Sequence, residues 1–268
     1  MVSNSGYSGC QVELWPQAQR KADWVAQERA VALVYNGISH AVMMATPTDL
    51  EVFAIGFSLT EGIVEKLSEI LDIEIRVLSL GIEVALTITT EAFFNLKRRR
   101  RALLGPTGCG LCGVESLQQV WGKRVEEAPL QRDFQIAHTA IETALEHLES
   151  MQPLQEISGA VHGAAWCDVT GRILWVNEDV GRHNALDKLI GEYYRRDYQG
   201  QPGFALISSR ASFEMVQKCT RAGIAVLVAV SAATSLAVET AQKAGLTLVG
   251  FARPNRHVIY SHSDGIKP

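Results

Sequence analysis

The chain has no strong excess of either charge, no long apolar run, no second closely spaced cysteine pair and no low-complexity stretch. Its 25 Lys and Arg against 29 Asp and Glu leave a formal net charge of -4. That balance lacks the strongly basic footprint expected of a nucleic-acid or membrane-surface binder, so neither partner is expected. The uncharged stretch Ala222 to Val238 is 17 residues long and is interrupted by Ser231, Thr234 and Ser235. A membrane helix needs about 20 mostly apolar residues. Met1 to Cys10 offers neither a positively charged start nor an apolar run, so no secretory signal is expected and the expected location is the cytoplasm. An odd count of 5 cysteines without such a signal argues against a disulfide scaffold and for reduced thiols.

What is present is an ordinary globular composition. With 47% hydrophobic residues, 20% charged residues and a mean hydropathy of +0.06, the chain can bury a real core. At 268 residues it has room for one large or two modest domains.

The C-terminal part carries the clearest pattern. Apolar runs at Phe204 to Ile207, Ile224 to Val230 and Leu246 to Phe251 read as buried strands. Between them, Ala211 to Ala222 and Ser235 to Ala244 read as helices, each closed by a glycine, Gly223 and Gly245, where a left-handed residue is wanted. The phrases Arg221-Ala222-Gly223-Ile224 and Lys243-Ala244-Gly245-Leu246 repeat at a spacing of 22 residues, which predicts β-α-β-α-β and a parallel sheet. Upstream, Gly159 to Cys167 and Arg172 to Val176 predict an antiparallel pair, and Ala137 to Met151 an amphipathic helix with Ile141, Ala144, Leu145 and Leu148 on one stripe.

The N-terminal part has its own elements. Ala30 to Tyr35 and Ala41 to Met44 flank Asn36-Gly37, a strong hairpin signal. Thr46-Pro47-Thr48-Asp49 predicts a helix start with Thr46 as cap and Pro47 at the first helical position, followed by Leu50, Phe53, Ala54 and Phe57 on one face. Ile73 to Val77 and Val84 to Ile88 predict a further strand pair. The division falls near Glu126-Glu127-Ala128-Pro129, giving a smaller α+β domain over 1–130 and a larger α/β domain over 131–268.

Between these parts lies Gly105-Pro106-Thr107-Gly108-Cys109-Gly110-Leu111-Cys112-Gly113, whose glycines and proline predict a mobile loop. Two thiols at this spacing can bind metal, cycle as a dithiol, or act as a nucleophile and its neighbour. Structural zinc wants a second pair, and Cys167 and Cys219 sit alone in apolar or helical contexts that suit plain buried thiols, while Cys10 reads as exposed. No permanently bound metal is expected. Lys97-Arg98-Arg99-Arg100-Arg101 just upstream would favour a thiolate and could dock an anion, or is simply a solvated helix end.

A second constellation, Asn177 to Lys188, packs Glu178, Asp179, Arg182, His183, Asp187 and Lys188 between a strand and a helix. Composition alone leaves an active site and a structural ion-pair network open. His162, alone in an apolar strand, suits a core histidine as well as a functional one. Ser208-Ser209-Arg210 ends a strand where ligands bind in such sheets. Phe251-Ala252-Arg253-Pro254-Asn255-Arg256 ends another and carries two guanidiniums suited to pyrophosphate.

Together, Thr107 to Gly113, Gly159-Ala160-Val161-His162, Glu178 to Ala185 with Asp187-Lys188, Ser208-Ser209-Arg210 and the stretch from Ala222 to Phe251 resemble the formate dehydrogenase accessory sulfurtransferases, the FdhD family. The resemblance runs in order from about residue 30 to 262. It implies a sulfur carrier that takes persulfide sulfur from a cysteine desulfurase onto Cys109, with Cys112 as its partner. The sulfur would pass to the molybdenum cofactor, bis-molybdopterin guanine dinucleotide, bound as a substrate before insertion into the formate dehydrogenase catalytic subunit. Phe251 to Arg256 would contact that cofactor, with charge from Arg182 and Arg210 and a carboxylate of Glu178 or Asp179 toward the guanine or ribose. The resemblance also implies a homodimer and a cytidine-deaminase-like larger domain with a mixed, mainly parallel sheet flanked by helices. Val161-His162-Gly163-Ala164 lacks a glutamate two residues after the histidine, and no cysteine pair opens a helix, so zinc-dependent deamination is not expected. A cofactor-binding chaperone without sulfur transfer and a zinc or dithiol redox protein remain the alternatives.

Overall fold

The computed structural model describes residues 5–103 and 129–268, so Cys109 and Cys112 lie outside the described residues. The chain opens with an antiparallel hairpin that the sequence did not announce, β1 (Tyr7–Leu14) and β2 (Gln19–Ala26). Then follow β3 (Arg29–Tyr35), β4 (Ile38–Ala45), α1 (Leu50–Thr60), β5 (Ile70–Leu78), β6 (Gly81–Ile88) and α2 (Thr90–Leu103). The strands form one sheet in the order β4-β3-β6-β5, with β3 and β6 parallel across α1. The Asn36-Gly37 turn forms as expected, both residues at positive φ (45° and 79°), and the Asn36 amide also pairs with both backbone groups of Ile88.

The expected helix start is corrected. Thr46 does not cap α1; Asp49 takes the cap position in a left-handed conformation with no side-chain bond. Thr46 instead accepts from Val180 N through its hydroxyl at 3.1 Å, donates its N–H to Asp179 Oδ2 at 3.0 Å, and accepts from Lys188 Nζ at its carbonyl. A buried charge from a distant part of the chain outcompetes the local cap, because an unpaired buried carboxylate costs more than an uncapped helix end.

The second part comprises β7 (Ile136–Ala137), α3 (His138–Leu148), α4 (Pro153–Ser158), β8 (His162–Asp168), β9 (Ile173–Asp179) and α5 (Arg182–Arg195). It continues through β10 (Gly203–Ile207), α6 (Phe213–Arg221), β11 (Val226–Ala229), α7 (Ser235–Ala244), β12 (Thr247–Arg253), β13 (Arg256–Ser261) and β14 (Ile266–Lys267). Its main sheet has the order β13-β12-β11-β10-β8-β9. The parallel run β10-β11-β12 and its glycine-closed helices match the sequence pattern, with Gly223 and Gly245 at φ 74° and 71°. The sheet is mixed as expected, but antiparallel pairings outnumber parallel ones by 3 to 2. The excess comes from β13: Pro254-Asn255 is a turn, with Asn255 at φ 61°, and the chain returns beside β12.

The alternation of buried strands sorts side chains onto two layers. Ala205, Ile207, Leu227 and Leu248 face α5, α6 and α7, while Phe204, Leu206, Val226, Val228 and Val249 join α3 through Ile141 and Ala144. The two sheets are joined by α1 against α5. Every residue of α1 except Glu51 is buried, so the single stripe expected from Leu50, Phe53, Ala54 and Phe57 is only the side facing its own sheet. On the other side, a Cβ on Gly56 would fall 1.7 Å from Asp187 O, and one on Gly191 1.9 Å from Val52 O. These two glycines let the helix backbones meet without a side chain between them.

Candidate functional site

Strands β10, β11 and β12 are parallel, and β9 and β10 both run antiparallel to β8. The carboxyl ends of all four therefore open on one edge, which is where ligands bind in such sheets. The edge gathers most of the residues singled out in the sequence. Glu178 and Asp179 end β9, Arg182 and His183 open α5, and His162 begins β8 in register with Asp179. Ser208, Ser209 and Arg210 follow β10, and Phe251 to Arg256 form the end of β12, its turn and the start of β13.

Backbone bonds stitch these segments together. Ser208 donates its N–H to Gly163 O, and its hydroxyl accepts from Gly163 N at 2.9 Å. Phe251 N donates to Ser231 O at 2.9 Å, and the Arg253 guanidinium donates to the carbonyls of Val230 and Ala252. Phe251 is left 42% exposed at φ 49°, an aromatic face turned to solvent at the edge. Ala252 is buried, whereas Arg210, Pro254, Asn255 and Arg256 are exposed.

The two carboxylates expected to meet a guanine or ribose face inward. Glu178 accepts from Leu154 N at 2.9 Å and Gln155 N at 2.8 Å, anchoring the start of α4, and burial pushes its pKa up. Asp179, with no exposed surface, accepts from Thr46 N, Gly181 N, Asn184 Nδ2 and Lys188 Nζ. Their oxygens are engaged within the protein, those of Asp179 in an ion pair with Lys188 and those of Glu178 at the backbone N–H groups that open α4. Arg182 differs, because its buried Nε has no partner among the described residues. His162 is half-buried, and burial lowers its pKa, helped by the nearby Arg182. Ser209 is buried and donates its hydroxyl to Arg210 O.

Beside this edge lies a cleft of about 610 Å³ whose lining includes Met43, Met44, Phe57, His183, Glu214 and Lys218. His183 Nε2 sits 2.6 Å from Glu214 Oε2, and this bond holds the Glu214 carboxyl below its usual pKa. At the floor, the Lys218 ammonium donates to both Asp187 oxygens at 2.9 and 3.0 Å, to Thr60 Oγ1 and to Glu61 Oε1. Burial works against the Lys218 charge, but Asp187 and Glu61 hold its pKa above the ordinary value. Sequence reasoning missed Glu61, Glu214 and Lys218. Glu214 and Lys218 lie four residues apart on α6, and the only hint in the sequence was their shared side of the helix.

Among the described residues, no group of three or more His, Cys, Asp or Glu side chains could hold a metal, and no helix is long and apolar enough to cross a membrane. Cys167 and Cys219 are fully buried thiols, and burial pushes both pKa values up, that of Cys219 to about 12. Cys10, expected to be exposed, is partly covered in β1 opposite Asp23. The basic run begins near the end of α2, where Lys97 lies 4.2 Å from the centre of the Phe93 ring.

The model of the FdhD/NarQ family matches residues 26–267. The chain belongs to the FdhD/NarQ family. This FdhD/NarQ chain is 52% identical over 240 residues to the "Sulfur carrier protein FdhD" of Acinetobacter baylyi, covering 89% of this chain and 86% of that protein. Its fold is similar to the crystal structure of a candidate formate dehydrogenase accessory protein from Desulfotalea psychrophila. The TM-score is 0.73 at 25% identity, over 97% of this chain and 98% of the other.

Proposed function

We propose that this protein is a sulfur carrier that works through a cysteine persulfide on Cys109. A Cys109 thiolate attacks the outer sulfur of a cysteine desulfurase persulfide, the desulfurase thiolate leaves, and the sulfane sulfur moves without net oxidation or reduction. The sulfur is then delivered to the molybdenum cofactor, bis-molybdopterin guanine dinucleotide, which is the substrate, before that cofactor enters formate dehydrogenase. Cys112 assists Cys109. The observation that carries the reading is the 52% identity, over most of both chains, to a protein named a sulfur carrier. Two further features support it. Cys167 and Cys219 are buried with raised pKa values, so neither suits the carrier role. The carboxyl edge offers the exposed guanidiniums of Arg210 and Arg256 and the exposed ring of Phe251, groups suited to a pyrophosphate and a flat base.

The test is peptide mass spectrometry after incubation with a cysteine desulfurase and cysteine, without reductant. One added sulfur on the peptide containing Cys109, removable by a thiol and absent in Cys109→Ala, is the expected result. No sulfur there would favour a cofactor-binding chaperone. Arg256→Ala should weaken guanine-nucleotide binding while leaving sulfur loading intact, and unchanged affinity would remove the β12–β13 turn from the cofactor site.

A further inference from the structure

The cleft beside the carboxyl edge, about 610 Å³, has room for a small organic ligand, and the proposed sulfur chemistry does not use it. Most of its side-chain donors are spent within the protein. Lys218 shares its ammonium protons among Asp187, Thr60 and Glu61, and the Asn184 amide donates to Met44 O and Asp179 Oδ1. Acceptors are left over. The bond to His183 uses Oε2 of Glu214, which leaves Oε1 on a side chain that is 56% exposed, and the covered Ser212 hydroxyl has no partner among the described residues.

The charge points the same way. Three lining carboxylates, Glu61, Asp187 and Glu214, face one lysine and one histidine, an excess of two negative charges with His183 neutral and of one with it protonated. The starts of α5 and α6 add partial positive charge and the end of α1 partial negative charge, about half a unit each, so the balance stays negative in both states. Met43, Met44, Phe57 and Phe213 supply the apolar part of the lining, with Met44 52% exposed.

We propose that this cleft binds an organic cation, its ammonium or guanidinium group at Glu214 and its apolar stem along Met43, Met44 and Phe57. A charged N–H donor there meets a carboxylate acceptor, and thioether and ring faces suit both the stem and the cation. A phosphate or pyrophosphate would meet the excess of carboxylates. That separates this site from the exposed guanidiniums of Arg210 and Arg256, and the inference is independent of the sulfur-carrier reading. A free small cation and an arginine side chain of another protein offer the same chemistry.

Isothermal titration calorimetry of the full chain tests the site with benzamidine, its neutral isostere benzamide and the anion benzoate. Benzamidine is expected to bind once per chain, with benzamide and benzoate at least tenfold weaker. Glu214→Gln should weaken benzamidine at least fivefold while leaving guanine-nucleotide affinity unchanged. Methyl NMR should place the ligand by shifts at Met43 and Met44, a readout that holds even if the variant fails to fold. Tighter binding of acetyl-Gly-Arg-Gly-amide than of benzamidine assigns the cation to a partner protein, and the reverse assigns it to a free small molecule. Absence of benzamidine binding at about 10 mM, roughly tenfold above the dissociation constant expected of so small a ligand, overturns the proposal. Equal affinity for benzamide, indifference to Glu214→Gln, or methyl shifts that spare Met43 and Met44 would each overturn it as well.

Discussion

The ammonium of Lys188 lies 2.8 Å from Oδ2 of Asp179, and both side chains are completely buried. The same nitrogen donates to the carbonyls of Thr46 and Glu178, while Asp179 accepts from Thr46 N and Gly181 N. The pair therefore ties the loop before α1 to the turn that opens α5, and that turn presents Arg182 and His183 at the carboxyl edge.

Lys188→Met should leave Asp179 charged, buried and short of its partner, at a cost of about 3–5 kcal/mol. Urea unfolding would show this as a lower midpoint. The loss should shrink when Asp179→Asn is added, since the amide removes the uncompensated charge. Equal losses in the single and double variants would mean that the ion pair does not govern this junction.

The α1–α5 contact should be intolerant of a single methyl group. Gly56→Ala places a carbon against Asp187 O and Gly191→Ala places one against Val52 O, so each must push two packed helices apart. Overpacking of this kind costs about 1–3 kcal/mol. A melting temperature within error of the parent for both variants would contradict the close approach.

Thiol labelling should divide the cysteines. In the native protein at mildly alkaline pH, Cys167 and Cys219 are expected to resist an alkylating reagent, because burial excludes it and holds both thiols protonated. Both should label fully in denaturant. Rapid native labelling of either would mean that the core around it opens.

Glu214 should titrate below its ordinary value of 4.5, chiefly through its bond to His183. A carboxyl lowered in the folded state contributes stability that is in place above the unfolded value and is lost as pH falls through the folded one. The window for this pair is therefore acidic, below about pH 4.5. Carboxyl NMR titration should find the depressed value in the parent and a return toward the ordinary one in His183→Gln. No change on that substitution would reject the pairing as its cause.

The elements legible in the sequence are those whose signals are local. Asn36-Gly37 sets a hairpin because two adjacent residues tolerate positive φ, and Gly223 and Gly245 close helices for the same backbone reason. The buried strands β10, β11 and β12 are continuous apolar runs, so their place in the core was visible without knowing their neighbours. The β1–β2 hairpin was not visible, since Gln11, Glu13, Arg20, Lys21 and Asp23 give it no apolar face. Strand β13 was hidden because its role depends on a turn at Pro254-Asn255 that reads equally well as the end of a strand.

For the site, the sequence by itself determined which segments end at the carboxyl edge, because strand direction and connection follow from alternation and chain order. Only the tertiary structure decided which charges face solvent and which are internal. Glu178 and Asp179 read like binding residues but are engaged by Leu154, Gln155, Thr46 and Lys188. Lys218 and Glu61, 157 positions apart, meet beneath a cleft that no local pattern marks. The physical reason is that backbone preference acts over a few residues, whereas a charge is bound inward or left outward according to desolvation, which depends on every segment packed around it.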